Sequence, residues 1–159
     1  MNSVYLLLGS NMGDSEQMLA AARMRIEKAI GNFKRNSSIY RTAAWGKEDQ
    51  ADFLNQVIIV ESKLSAEKIL HKIFFIEKEM GRIRTIKNAA RVIDIDILFF
   101  NDEVVNTETL QVPHPQIQNR KFVLVPLAQI AGDLVHPILK KSIKDLLHIC
   151  TDPLDVQKI

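Results

Sequence analysis

The chain has one cysteine, Cys150, and one tryptophan, Trp45, in 159 residues. A lone cysteine excludes an internal disulfide, which fits a reducing compartment. No stretch approaches the roughly 20 apolar residues that a membrane-spanning helix requires. The run Val4-Tyr5-Leu6-Leu7-Leu8 follows no basic segment and is too short for a secretory signal, so a soluble cytoplasmic protein is expected. Charge of one sign is also scarce. The formal net charge is +2, too small to argue for nucleic acid or an anionic membrane as the main partner. Repeats, low-complexity tracts and linker-like stretches are absent, and the length fits one domain over residues 1–159 with a core of its own.

What the chain does have is concentrated in one region. Arg91-Val92-Ile93-Asp94-Ile95-Asp96-Ile97-Leu98-Phe99-Phe100 alternates acid with aliphatic and reads as a strand, with Ile93, Ile95 and Ile97 on one face and Asp94 and Asp96 on the other. Carboxylates at i and i+2 lie roughly 7 Å apart at the backbone and can converge on hard cations, which take oxygen ligands. Without a counterion the two acids would repel each other. Just upstream, Arg82, Arg84 and Arg91 are suited to gripping phosphate oxygens in pairs. Carboxylates for Mg²⁺ beside guanidiniums for phosphate describe a nucleotide-phosphate site. An exposed Asp-x-Asp on a half-buried strand is the plainer alternative.

The rest of the pattern is α+β. Ser3 to Leu8 reads as a buried strand ending at Gly9. Asp14, with Gln17 three residues on, starts a helix that runs to about Ile30 and stops at Gly31. Phe33 to Arg41 reads as one strand, and Phe53 to Ser62 as a strongly β-branched one. Ser65 caps a second helix that ends at Gly81. A small hairpin is expected over Glu103 to Val112, a short helix over Asn119 to Ala131 around Pro126, and another over Ile143 to Cys150. The order β-α-β, then β-α-β, predicts a ferredoxin-like fold: an antiparallel sheet from two split βαβ halves with helices on one side.

Several further constellations bear on chemistry. Gly9-Ser10-Asn11-Met12-Gly13-Asp14 joins the first strand to the first helix, either as a plain capped turn or as a cradle of amides for a polar ligand. Thr42 to Asp52 is a long polar loop carrying Trp45, of the kind that closes over ligands. Asn55 enters an apolar strand. Its amide offers donors and an acceptor, suited either to a heterocycle edge or to strand backbone. Glu77 is read as a surface acid, with orientation of Arg82 or Arg84 as the alternative. His114 sits between Pro113 and Pro115 in a stiff backbone, with Asn119, Arg120 and Phe122 soon after, which favours a placed donor or phosphate contact. His136, before Pro137, has no such company and is read as structural. No residue stands out as a dedicated general base.

In one order the chain carries Gly9-Ser10-Asn11, Tyr40-Arg41-Thr42, Phe53-Leu54-Asn55, Gly81-Arg82-x-Arg84, Asp94-Ile95-Asp96-Ile97-Leu98, Pro113-His114-Pro115, and Arg120-x-Phe122-Val123-Leu124-x-Pro126-Leu127. Together these closely resemble the 6-hydroxymethyl-7,8-dihydropterin pyrophosphokinases of folate biosynthesis, over nearly the whole chain. The resemblance implies transfer of pyrophosphate from ATP to the pterin hydroxymethyl group with release of AMP. It implies two Mg²⁺ ions on Asp94 and Asp96, with Arg82 and Arg91 beside them as catalytic groups. It implies ATP contacts from Phe74, Glu77, Arg82, Arg84, Arg91, Ile97, Leu110, Gln111, His114 and Arg120. It implies a pterin pocket of Thr42, Ala43, Ala44, Trp45, Phe53, Asn55, Asp94 and Phe122, with Phe53 and Phe122 sandwiching the ring and Asn55 and Asp94 reading its edge. Small-molecule substrates are expected as partners, with the chain a monomer or weak homo-oligomer. One segment departs from the family. Its usual Arg-Trp-Gly-x-Arg before the aspartates is replaced by Lys87-Asn88-Ala89-Ala90-Arg91, one residue shorter and without the aromatic or the glycine. Ala43 and Ala44 also stand where prolines are usual. The rival readings are a nucleic-acid-binding module of the same fold, which the near-neutral charge and paired acids oppose, and another Mg²⁺-dependent phosphotransferase.

Overall fold

Two apolar runs that do not alternate, Leu6-Leu7-Leu8 and Val57-Ile58-Ile59-Val60, form the centre of the sheet and are buried on both faces. The computed structural model describes residues 1–43, 51–81 and 92–159. β1 (Asn2–Ser10) lies between β4 (Phe53–Ser62) and β5 (Asp94–Phe100), antiparallel to both. β3 (Tyr40–Thr42) continues the sheet beyond β4, and β8 (Val156–Lys158) closes that edge, giving the order β5-β1-β4-β3-β8. β2 (Asn32–Asn36) also pairs with β4. β6 (Val105–Asn106) and β7 (Gln111–Val112) form a separate hairpin.

α1 (Ser15–Ala29) and α2 (Ala66–Glu79) pack on one face of the sheet through Leu19, Ala22, Ile26, Ile69, Ile73 and Ile76. Asp14 Oδ1 accepts from the Gln17 N–H and Ser65 Oγ from the Lys68 N–H, so both helices begin on a side-chain cap. Gly31 follows α1 because no side chain fits there: a Cβ would lie 2.0 Å from the Glu61 carbonyl oxygen.

The opposite face is not open. α3 (Lys121–Ala131) and α4 (Ile143–Ile149) cover it, packing Val123, Leu124, Leu127, Ile143 and Leu146 against Leu7, Val57, Ile59 and Phe99. The expected one-sided arrangement is therefore corrected to a sheet covered on both faces. The physical reason is the pair of uninterrupted apolar runs, because strands buried on both faces have no polar side to show. The single strand expected over Phe33 to Arg41 is also corrected. It breaks at Ser37, whose N–H donates to the Val57 carbonyl and whose Oγ accepts from the Val57 N–H. The hydroxyl replaces a ladder partner, and the chain bulges before re-entering the sheet as β3. β8 was not anticipated.

His136 lies in the core under α3 and α4, 4% exposed and edge-on to Phe99. Its Nδ1 accepts from the backbone N–H groups of Ile138 and Leu139, which requires the neutral ring. Burial holds its pKa below the ordinary 6.5. The unfolded chain then binds a proton that the folded one refuses, so stability is full above about pH 6.5 and falls as the pH drops below it, by at most about 1.4 kcal/mol per pH unit. His136→Asn keeps an acceptor in place of Nδ1 and is expected to flatten the loss of Tm between pH 7 and 5. His114, shifted in the same direction, leaves a residual slope. An unaltered slope in thermal melts would remove His136 from the account.

Candidate active site

Register brings distant residues into one row across the sheet. Asp94 stands opposite Gly9, Gly9 opposite Asn55, and Asn55 opposite Tyr40. Directly opposed residues place their side chains on the same face. Asp94 and Asn55 therefore flank Gly9 across two strand spacings, roughly 10 Å at the backbone. Asp96 stands opposite Leu7, on that face as well, and Phe53 opposite Thr42. This is the face that α3 covers, and Phe122, in the first turn of α3, packs partly buried against it.

Gly9, with no side chain, lets the Asn55 amide and the Phe53 ring come close to the backbone in the middle of this row. A Cβ there would come within 3.0 Å of Asn55 Oδ1 and 3.8 Å of a Phe53 ring carbon. Asn55 is 3% exposed, and among the described residues its Nδ2 has no hydrogen-bond partner; neither does Thr42 Oγ1. Buried polar atoms are nearly always paired, and leaving one unpaired costs roughly 1–3 kcal/mol. These two atoms, on one sheet face in the adjacent strands β3 and β4, describe a polar slot that suits a ligand with hydrogen-bonding edges. Asn11 Nδ2 donates to the Ala51 carbonyl and holds the chain entering β4 against the turn after β1.

A second feature opens at β5. A cleft of about 320 Å³ is lined by Leu70, Phe74, Ile95, Asp96, Ile97, Leu110, Gln111 and His114, among others. It gathers five of the residues expected to contact ATP, namely Phe74, Ile97, Leu110, Gln111 and His114, and one of the paired aspartates. His114 is fixed at both ends: its N–H donates to the Leu98 carbonyl, and its Nδ1 accepts from the Gln116 N–H. With Nδ1 an acceptor, the ring proton sits on Nε2 as a donor. Burial lowers the His114 pKa, Arg120 lowers it further, and Asp94 partly opposes them. The imidazole is therefore neutral at neutral pH, within electrostatic reach of both Arg120 and Asp94. The Arg120 guanidinium carbon lies 5.7 Å from the Phe122 ring centre, a cation–π geometry.

Glu77 corrects an expectation. It is not a surface acid: it is 1% exposed and accepts from the Ile95 N–H at 2.8 Å, between the two aspartates. The sequence carried a signal for this, since Glu77 lies four residues after Ile73 and seven after Leu70 on the buried side of α2. Ala43 is exposed at the end of β3. Ala44, Trp45, Arg82, Arg84 and Arg91 lie outside the described residues, as does the Lys87–Arg91 departure.

Asp94 and Asp96 offer hard carboxylate oxygens on one face of one strand. Among the described residues no group of three or more His, Cys, Asp or Glu is gathered as a metal site. This donor set fits a hard cation that takes its remaining oxygens from a ligand and water, as Mg²⁺ does with phosphates.

The family model for 7,8-dihydro-6-hydroxymethylpterin-pyrophosphokinase (HPPK) matches residues 5–132. The chain belongs to this family. It is 41% identical over 145 residues to the 2-amino-4-hydroxy-6-hydroxymethyldihydropteridine pyrophosphokinase of Aquifex aeolicus, covering 91% of this chain and 90% of that protein. To the Haemophilus influenzae enzyme of the same name it is 38% identical, covering 86% of each chain. Folic acid synthesis protein fol1 of Pneumocystis carinii is 40% identical over 89% of this chain, which spans only 19% of that protein. Among solved structures, a Plasmodium falciparum HPPK-DHPS superposes with a TM-score of 0.74 at 19% identity, over 93% of this chain and 43% of that one. That likeness speaks to the fold. The slot between Asp94 and Asn55 and the cleft at β5 thus lie in an HPPK family member, inside the matched span.

Proposed function

We propose that this chain transfers the pyrophosphoryl group of ATP to the hydroxymethyl group of 6-hydroxymethyl-7,8-dihydropterin, releasing AMP, in folate biosynthesis. The observation that carries the reading, beside family membership, is the buried, unpaired Asn55 Nδ2, with Gly9 the one residue between Asn55 and Asp94 across the sheet. A flat, polar-edged heterocycle has complementary groups for both. In this reading Phe53 and Phe122 pack on the two faces of the ring, and Thr42, Ala43, Ala44 and Trp45 belong to the same pocket. The fold is read as ferredoxin-like, from the β5-β1-β4-β3 order with α1 and α2 on one face. The chain acts in the cytoplasm as a monomer or weak homo-oligomer.

ATP occupies the cleft beside β5, its base among Phe74, Ile97, Leu110 and Gln111 and its phosphates toward Asp96 and His114. Phosphoryl-type transfer asks a protein mainly for positioning and charge neutralisation. The His114 Nε2–H donates to a phosphate oxygen without adding charge, and Arg120 supplies a cation beside it. Arg82, Arg84 and Arg91, outside the described residues, are proposed as three more cations for the charge that develops on the leaving AMP. Glu77, through the Ile95 N–H, fixes the backbone between the aspartates. Asp94 and Asp96 would hold Mg²⁺, two ions in this proposal, which when bound neutralises triphosphate charge and acidifies the attacking alcohol.

The test is chromatography of nucleotides after incubating the protein with ATP, Mg²⁺ and the pterin. AMP that depends on both pterin and Mg²⁺ is the expected result. ADP instead would place the chain with ordinary phosphotransferases. Pterin binding without turnover would mean that the Lys87–Arg91 replacement has cost the chain its activity.

A further inference from the structure

α3 begins without a cap of its own. Arg120 occupies the N-cap position with extended backbone and makes no side-chain cap bond, and the first turn holds no acidic residue. A helix start leaves its first N–H groups unpaired and carries partial positive charge, so an acceptor or an anion is normally found there. Here it comes from 31 residues further on. Asp152, 8% exposed, accepts from the Lys121 N–H through Oδ2 and from the Leu154 N–H through Oδ1, both at 3.0 Å.

The position of that bond matters. Lys121 lies between Arg120 and Phe122, so where α3 begins decides where both side chains stand. The segment that carries Asp152 then runs into β8, which pairs Val156 with Thr42 and Lys158 with Tyr40, and the Ile159 N–H donates to the Ile39 carbonyl. Residues 152–156 therefore tie the start of α3 to the strand that presents Thr42. Phe122, in the first turn of α3, packs on the sheet face that Thr42, Phe53 and Asn55 share, so both ends of the segment border the slot.

We infer that Asp152 is a positioning residue for this site, and that the segment it anchors couples the Arg120–Phe122 wall to the Thr42 wall. Capping from a distance leaves Arg120 free to turn its guanidinium to a ligand, since a local Asp or Ser cap would have to occupy the Arg120 position itself. The inference rests on the proposed pterin and ATP site.

The test compares Asp152→Ala and Asp152→Asn with Ser142→Ala. Ser142 caps α4 through the Asp145 N–H, a bond of the same kind away from the slot. Losing a cap lowers stability similarly in both places. Asp152→Ala is expected to raise the pterin KM about tenfold with a smaller change in kcat, the scale of one lost cap bond. Asp152→Asn keeps one acceptor oxygen and falls between Asp152→Ala and wild type. Ser142→Ala loses a similar amount of Tm and keeps both KM values. If the Asp152 variants lose Tm yet keep the wild-type pterin KM, Asp152 is a structural cap only and the inference is wrong. Should Asp152→Ala fail to fold, Asp152→Asn alone decides. A wild-type chain that makes no pterin-dependent AMP removes the site reading and this proposal with it, whereas active wild type with unmoved KM values removes only the proposal.

Discussion

Asp96→Ala is expected to lower kcat by at least about a thousandfold while leaving pterin affinity within about threefold of wild type, because its carboxylate is proposed to serve charge neutralisation in transfer rather than binding of the ring. The separation follows from register. Asp96 stands opposite Leu7 and lines the cleft at β5, whereas Asp94 stands opposite Gly9, with only β1 between it and Asn55. Asp94→Ala should therefore lose turnover and pterin affinity together. Both residues also sit on the edge strand β5, partly exposed, so neither truncation opens a core cavity that would confuse the result. The measurements are AMP release under saturating substrates and a separate pterin titration. A kcat within tenfold of wild type in Asp96→Ala would falsify the metal-holding role proposed for that carboxylate. Equal pterin losses in the two variants would instead show that Asp96 faces the ring.

Much of this architecture was legible in the chain because it is local. The β-branched run Phe53–Ser62 is observed with the bounds its composition predicts, and Asp14 and Ser65 start helices where a short acceptor side chain should. The alternation around Asp94 and Asp96 survives as β5, with Ile95 and Ile97 buried in the core beneath α1 and α2. What was hidden is what depends on contacts far apart in sequence. β8 has three residues, pairs only at an edge and is mostly exposed, so no hydrophobic period marks it. Ser37 breaks a strand because its hydroxyl meets Val57 from the next strand, which no propensity encodes. Asp152 looks like a polar residue in a C-terminal turn, and its partner is a helix start in another part of the chain. The site divides the same way. Residue types in order suggested which groups belong together, but only pairing register shows that a glycine stands between Asp94 and Asn55.

That glycine carries the second large effect. Gly9→Ala should raise the pterin KM by about 10- to 100-fold, since a displacement of an ångström or less at a positioning group is worth that much. The added methyl would lie 3.0 Å from Asn55 Oδ1, closer than carbon and oxygen ordinarily approach, and in contact with the Phe53 ring. Asn55 is buried within β4 and paired on both sides, so its amide gives by rotating rather than by moving its strand. Rotation misdirects the group proposed to read the pterin edge, and the methyl also crowds the row between Asp94 and Asn55. The fold should tolerate the change. The atom met is the end of a side chain, in contrast to Gly31, where the obstacle is the Glu61 backbone at 2.0 Å. A thermal melt close to wild type, together with a raised pterin KM and an ATP KM near normal, is the expected combination. If the pterin KM stays put, the ring does not lie over Gly9, and the slot between Asp94 and Asn55 is not where the pterin binds.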